Sequence, residues 1–274
     1  MGLNAQAEEA LRAGRLDEAL SWLQQDVRRQ PADARLRIFL FQLLCVRGEW
    51  NRALTQLNVA GELDASALLM VQTYREALRC EVYRAGVFAG DHTPMSLGEP
   101  DPWFAPLVQS LAVAAGGQGR EAAQLRQEAF EAAPETAGKL NGEPFQWLAD
   151  GDSRLGPCLE LIVSGRYYWV PFHRIRRVEI EAPSDLRDFV WTPAQLIWAN
   201  GGEAVALIPT RYPGSESAED AALRLSRKTE WQEQSDQTYF GLGQRTLITD
   251  AGETGLLDVR TIEFAPPAAD AVAG

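Results

Sequence analysis

A chain of 274 residues with 46% hydrophobic side chains can bury a core without disulfide or metal staples, as one large domain or two ordinary ones. The formal charge of −12 and a pI near 4.8 argue against a nucleic-acid partner, which needs a basic face. Neither half hides such a face: residues 1–140 hold 14 basic and 18 acidic side chains, and residues 141–274 hold 12 and 20.

The opening stretch Met1-Gly2-Leu3-Asn4-Ala5-Gln6 has no basic segment leading into an apolar one, and no run of about 18 apolar residues follows anywhere. Gln6 stands where a myristoylation motif wants Ser or Thr. Cys45, Cys80 and Cys158 are widely spaced and set among apolar residues, which suits reduced, buried thiols. Together these features predict a cytoplasmic protein with no membrane insertion.

The N-terminal half repeats. Gly14-Arg15-Leu16-Asp17-Glu18-Ala19-Leu20 and Gly48-Glu49-Trp50-Asn51-Arg52-Ala53-Leu54 share the pattern Gly-x-apolar-x-x-Ala-Leu, with glycines 34 residues apart, the tetratricopeptide period. In that repeat the Gly ends helix A, the Ala lets helix B pack closely, and a Pro then breaks helix B. Pro31 and Pro134 each stand 17 residues after a glycine, Gly14 and Gly117, and Ala122 follows Gly117 by five. Gly48 has Ala65 where the Pro belongs, and the unit from about 68 to 100 keeps helical spacing without the signature. The expectation is a tetratricopeptide-like α-α superhelix over residues 1–140, with three recognisable or partial repeats and one degenerate one. Asp26 takes a position usually held by a small residue, which suits a capping unit. Gly90 to Pro102 is too rich in Pro and Gly for a helix and reads as an ordered loop.

Arg37 to Val46 is apolar nearly all round a helix, more than one core-facing stripe requires. Either the helix is buried on both sides by its neighbours, or part of it lines a concave groove for an extended peptide or amphipathic helix. By repeat position Ile38, Gln42 and Cys45 face inward, Phe41 fills a site usually held by a small residue, and Tyr74 and Leu78 extend the surface. These six are the candidate partner-binding residues.

From about Pro157 the period changes to short runs between turn residues. Cys158–Val163 and Arg166–Val170 read as a hairpin around Ser164-Gly165, and Ile175–Ile180 as a strand with one wet face. Leu196–Trp198 and Ala204–Ile208 form a second hairpin, and Thr246–Ile248 with Leu256–Ile262 a third, turning over Asp250–Gly255. One helix, roughly Ala218 to Thr229, interrupts them. The fold class is α+β: the helical domain, then a mainly antiparallel, barrel-like domain over 141–267 and a flexible tail over 268–274.

Catalytic raw material is scarce. His92 and His173 are the two histidines, too few for a His-based triad or metal cluster, so no catalytic residue, metal or cofactor is expected. Asp150-Gly151-Asp152-Ser153 superficially matches the Asp-x-Asp of metal-dependent phosphohydrolases, which would make Asp150 and Asp152 nucleophile and ligand. Pro144–Ala149 ahead of it reads as a short helix, not the strand that motif follows, so a turn in which both carboxylates cap amides and pair with Arg154 fits better. Phe240-Gly241-Leu242-Gly243-Gln244-Arg245 lacks the third glycine of a dinucleotide site and reads as a turn. Charged and aromatic residues recur together, and Asp150, Asp152, Arg154, Trp169, Arg187, Asp188, Trp191, Arg211 and Trp231 are the candidates for a structural or interface network.

Seven blocks in one order carry a specific likeness: Asp150 to Pro157, Gly165 to Pro171, Leu186-Arg187-Asp188, Trp191-Thr192-Pro193, Ile208 to Gly214, Lys228 to Trp231 and Gly241 to Arg245. This series closely resembles the ImpE family, also described as SciE-type or TagJ proteins. The resemblance implies a non-enzymatic, cytoplasmic adaptor of a bacterial type VI secretion system. Its implied partner is the N-terminal helix of the small contractile-sheath subunit, with an indirect link to the AAA+ ATPase that dismantles contracted sheath. Rival readings are a general tetratricopeptide scaffold, or a phosphohydrolase using Asp150 and Asp152.

Overall fold

The computed structural model describes residues 5–235 and 238–266; the tail expected at 268–274 lies outside them. Three helical hairpins stand where the glycine pattern predicts them. They are α1 (Ala5–Arg12) with α2 (Leu16–Arg29), α3 (Ala34–Val46) with α4 (Trp50–Leu63), and α6 (Phe104–Ala115) with α7 (Gly119–Ala132). Gly14, Gly48 and Gly117 end the first helix of each pair at φ of +75°, +70° and +81°, a region that a residue without Cβ enters cheaply. Ala19, Ala53 and Ala122 are fully buried where the paired helices touch. Pro31 and Pro134 follow the ends of α2 and α7, and Asp33 caps α3 by accepting from the amides of Arg35 and Leu36 at 2.8 and 3.3 Å. The degenerate unit is one long helix, α5 (Leu68–Phe88), followed by the expected loop. That loop holds a short strand, β1 (Met95–Ser96).

The C-terminal half is strand after strand: β2 (Gly138–Leu140), β3 (Glu143–Phe145), β4 (Leu148–Asp150), β5 (Cys158–Val163), β6 (Arg166–Pro171) and β7 (Ile175–Ile180). After these come β8 (Trp191–Trp198) and β9 (Glu203–Pro209), a one-turn helix α8 (Ala221–Arg224), and β10 (Thr229–Ser235) with β11 (Thr238–Gly243). β12 (Thr246–Thr249), β13 (Gly252–Gly255) and β14 (Thr261–Phe264) complete it. The main sheet runs β1-β6-β5-β9-β8-β7-β14-β2-β3, antiparallel except at β1–β6. Its first and last strands do not meet, so the barrel-like expectation is corrected to an open sheet. β13-β12-β4 and β10-β11 form two small additional sheets. β1 and β2 belong to the main sheet although they precede residue 141.

The first two hairpins lie where alternation placed them. Ser164 and Gly165 both take positive φ, +48° and +72°, the two-residue turn whose twist matches the β5–β6 strands. Four local expectations fail. Pro144–Ala149 is not a helix but the strands β3 and β4, because Leu148 to Asp150 pair with β12 about a hundred residues downstream. The 240–245 segment is strand β11 running into an isolated bridge between Gln244 and Arg211, not a turn. The helix expected over 218–229 shrinks to α8, since Thr229 onward pairs with β11. β12 pairs with β13 inside the supposed turn, and β14 leaves to join β7 and β2.

Alternation along β5 sorts its side chains between two cores. Leu159 and Leu161 join the core inside the β half, with Val178, Leu247 and Ile262. Cys158 and Ile162 turn the other way, into one continuous core with Phe41, Tyr74, Leu107, Trp169 and Trp191. Glu160, at the alternating position between them, therefore projects toward the helices. The helical half and one face of the sheet are a single packed body.

Candidate functional site

Where the halves meet lies a buried chain of charges. Arg84 of α5 donates to both oxygens of Glu160, from Nε at 2.6 Å and Nη2 at 3.0 Å, and Nη2 also reaches the Arg211 carbonyl at 2.8 Å. Glu160 further accepts from Arg245 and from the Tyr167 hydroxyl, which accepts from Trp169 Nε1 at 2.6 Å. Arg245 bridges onward to Asp150, which also accepts from the Tyr212 hydroxyl at 2.9 Å. Glu81, one helical turn before Arg84, accepts from Trp191 Nε1 at 2.8 Å. All of these side chains are buried.

Burial alone would lift the Glu160 carboxyl, but the guanidinium groups of Arg84 and Arg245 pull it down further, to about 2. At Asp150 burial prevails over the pull of Arg245 and pushes the group up to about 6. Glu81 is raised by burial against the pull of Arg84, and Arg84 itself is held well above the ordinary guanidinium value by Glu160 and Glu81, which outweigh its own burial. Burial pushes the Cys45 and Cys158 thiols well up and Cys80 to about 12, so none is an activated thiolate.

The candidate partner-binding residues are not an open groove. Phe41, Cys45, Tyr74 and Leu78 are buried and Ile38 is half-buried in the shared core. Gln42 donates to Asp185 at 3.1 Å, and the carbonyls of Cys45 and Val46 accept from Arg211 at 3.1 and 2.7 Å. Tyr74 meets Phe41 edge-on at 5.9 Å and Trp191 at 5.7 Å, and carries the Arg187 guanidinium 4.7 Å over its ring. The apolar face that α3 and α5 share is thus covered by the C-terminal half of the same chain, while Leu68, Leu69 and Val82 on another side of α5 stay exposed.

The residues singled out as a network divide among three clusters. Arg187 pairs with Asp185 at 2.8 Å, and Asp188 accepts from the amides of Ser184 and Asp185 in a capping box. Trp191, Trp169 and Arg211 belong to the junction already described. Asp152 accepts from the Arg154 amide and guanidinium at 2.9, 2.8 and 2.5 Å and from the Gly241 amide at 2.8 Å. Asp150 accepts from the Asp152 amide at 2.9 Å, and Trp231 packs on Tyr212 at 5.6 Å. The Asp150–Asp152 pair does follow a strand, but its oxygens are spent on arginines, a tyrosine and amides. Among the described residues no group of three or more His, Cys, Asp or Glu could hold a metal ion, and no helix is long and apolar enough to cross a membrane.

Sequence reasoning missed Glu81, Arg84, Glu160, Tyr167, Tyr212 and Arg245. For Glu160 a signal existed: a carboxylate inside the apolar run Cys158-Leu159-Glu160-Leu161-Ile162 must be paired if buried. Arg84 and Arg245 offered none, being 76 and 85 residues away.

Residues 142–263 match the family model described as ImpE protein. Type VI secretion system accessory component TagJ of Pseudomonas aeruginosa is 56% identical over 260 residues, covering 95% of this chain and 91% of that protein. The crystal structure of protein VPA1032 from Vibrio parahaemolyticus superposes with a TM-score of 0.87 at 26% identity, covering 95% of this chain and 98% of that one. With a relative this similar over nearly its whole length, and its β half matching the family model, the chain belongs to the ImpE family, alongside TagJ.

Proposed function

We propose that this chain is a non-catalytic accessory component of a bacterial type VI secretion system. It works in the cytoplasm as an adaptor that binds the N-terminal helix of the small contractile-sheath subunit, and so modulates sheath disassembly by the AAA+ ATPase. The observation that carries the reading is the 56% identity to TagJ across 95% of the chain. The three glycine-turned hairpins support a tetratricopeptide-like helical half, an architecture suited to holding helices and peptides. The commitment of Asp150 to the buried Arg245 and of Asp152 to the partly buried Arg154 speaks against the phosphohydrolase alternative. Calorimetry with a peptide of the sheath subunit's first helix should show a 1:1 complex. Absence of heat at high micromolar concentrations would overturn the partner assignment.

A further inference from the structure

With the α3–α5 face covered by the chain's own C-terminal half, a partner segment needs another seat, and α7 offers one. Two clefts of about 510 and 410 Å³ adjoin along this helix and share Phe130 and Ser153. The first is lined by Arg120, Gln127 and Thr238 and by Arg126; the second runs past Pro134, Trp147 and Pro157. Phe130 and Trp147 are 37% and 38% exposed, large apolar surface left in water beside a concavity.

Arg126 sets the chemistry. It is 4% exposed, and among the described residues its Nη1 has no hydrogen-bond partner. Asp152, whose charge acts on it, is already bound by Arg154, and the Arg154 charge opposes Arg126. Burial, only partly offset by Asp152, lowers its pKa, so the fold holds a cation at a cost. Its guanidinium lies 5.9 Å from the Phe240 ring centroid, which offers partial compensation only. Glu131, on the rim, accepts from Gln127 at 2.9 Å.

We propose that the groove along α7 is the partner-binding seat, taking a segment that pairs apolar side chains, set on Phe130 and Trp147, with a carboxylate that supplies the counter-charge for Arg126. This deepens the adaptor reading and rests on it for the partner's identity, but not for the chemistry of the groove. A buried cation with one donor unused gains most from an anion that arrives with its own apolar cover.

The test has two arms, both on the full chain. In the first, 4-phenylbutyrate and its neutral amide are titrated while the Trp147 indole and Arg126 side-chain resonances are followed. The acid should bind about tenfold more tightly than the amide, and Arg126→Met should erase the difference. Equal shifts from both probes, or none, overturn the groove's chemistry. In the second arm the sheath-helix peptide is titrated into wild type, Arg126→Met, Trp147→Ala and, as a control on exposed α5 surface, Leu69→Ser. Weakening of about tenfold or more in the first two variants alone supports the seat. Equal affinity in all four overturns the seat while leaving the adaptor reading intact. A wild type that discriminates acid from amide but ignores the peptide overturns the partner and leaves the groove. Because no carboxylate among the described residues forms an ion pair with Arg126, Arg126→Met should melt no lower than wild type, which separates lost recognition from lost folding.

Discussion

Arg84 and Glu160 form a two-pronged ion pair, at 2.6 and 3.0 Å, between the longest helix and a central strand, with both side chains sealed from water. Glu160 also carries Arg245, so one carboxylate answers two buried guanidinium groups. Removing its charge takes the shared partner from both, leaving Arg84 with Glu81 at 3.5 Å and Arg245 with Asp150. Glu160→Gln should therefore cost about 3–5 kcal/mol and lower the melting temperature by about 10 °C. Urea unfolding of the two proteins measures this, and a loss below about 1 kcal/mol would mean that water reaches the site.

The two carboxylates at either side of Arg245 should respond to pH in opposite senses. Glu160 is held at about 2, below its ordinary range, so its contribution is complete above about 4.5 and disappears as pH falls toward 2. Asp150 is pushed up to about 6, so the fold favours its neutral form; that contribution is complete below about 4 and disappears as pH rises through 6. Unfolding free energies measured from pH 2 to 8 should show the gap between wild type and Asp150→Asn changing mainly between pH 4 and 6, and for Glu160→Gln mainly below 4.5. A pH-independent gap for Asp150→Asn would show that Arg245 fully offsets burial at that carboxyl, and a gap changing instead from about pH 4 downward that it outweighs burial.

These relationships separate what the sequence displays from what it conceals. The helical hairpins are local: Gly, Ala and Pro at set spacings dictate a left-handed turn, a close helix contact and a stop, each readable within 20 residues. The β5–β6 and β8–β9 hairpins are equally local, with their turn chemistry between them. Strands β4, β11 and β13 were lost because their partners or their context lie elsewhere. Trp147-Leu148-Ala149 has no strand character until β12 is beside it. The junction was least legible. The length of the apolar run at 37–46 announced a covered surface, yet nothing in α3 says whether the cover is a foreign peptide or residues 185–211 of the same chain. Such pairings are set by the packed whole, across separations of 76 residues between Arg84 and Glu160 and 166 between Cys45 and Arg211.

Arg211 should prove to be the bolt between the halves. Its Nη1 reaches the carbonyls of Val46 and Arg224, each at 2.7 Å, and Nη2 reaches the Cys45 carbonyl at 3.1 Å beside the Gly48 amide, so it ties the end of α3 to the opposite half. Arg211→Met keeps much of the volume and removes every donor. The expected loss is about 1–3 kcal/mol, with faster amide hydrogen exchange at Arg47 to Glu49 than in the rest of the helical half. Uniform acceleration across the chain would instead indicate global destabilisation with no local role.

The three repeat glycines make a graded test of the same junction. All take positive φ, so replacement by Ala costs each about 1–2 kcal/mol of backbone strain. At Gly117 nothing lies within 4 Å of an added Cβ, and at Gly14 the nearest atom is the Ala221 Cβ at 3.6 Å, an ordinary contact. At Gly48 an added Cβ would meet Glu216 at 2.6 Å from Cγ and 2.9 Å from Cβ. Because the Glu216 Cβ is tied to the backbone, rotation of its side chain cannot clear the clash. The segment that follows Gly214 must then move away from α3, adding about 1–3 kcal/mol. Chemical denaturation should therefore rank Gly48→Ala well below Gly14→Ala and Gly117→Ala, which should resemble each other. If all three cost the same, glycine at 48 serves only the turn between α3 and α4. If the ranking holds, that glycine is required both to turn its own hairpin and to let the β half lie against it.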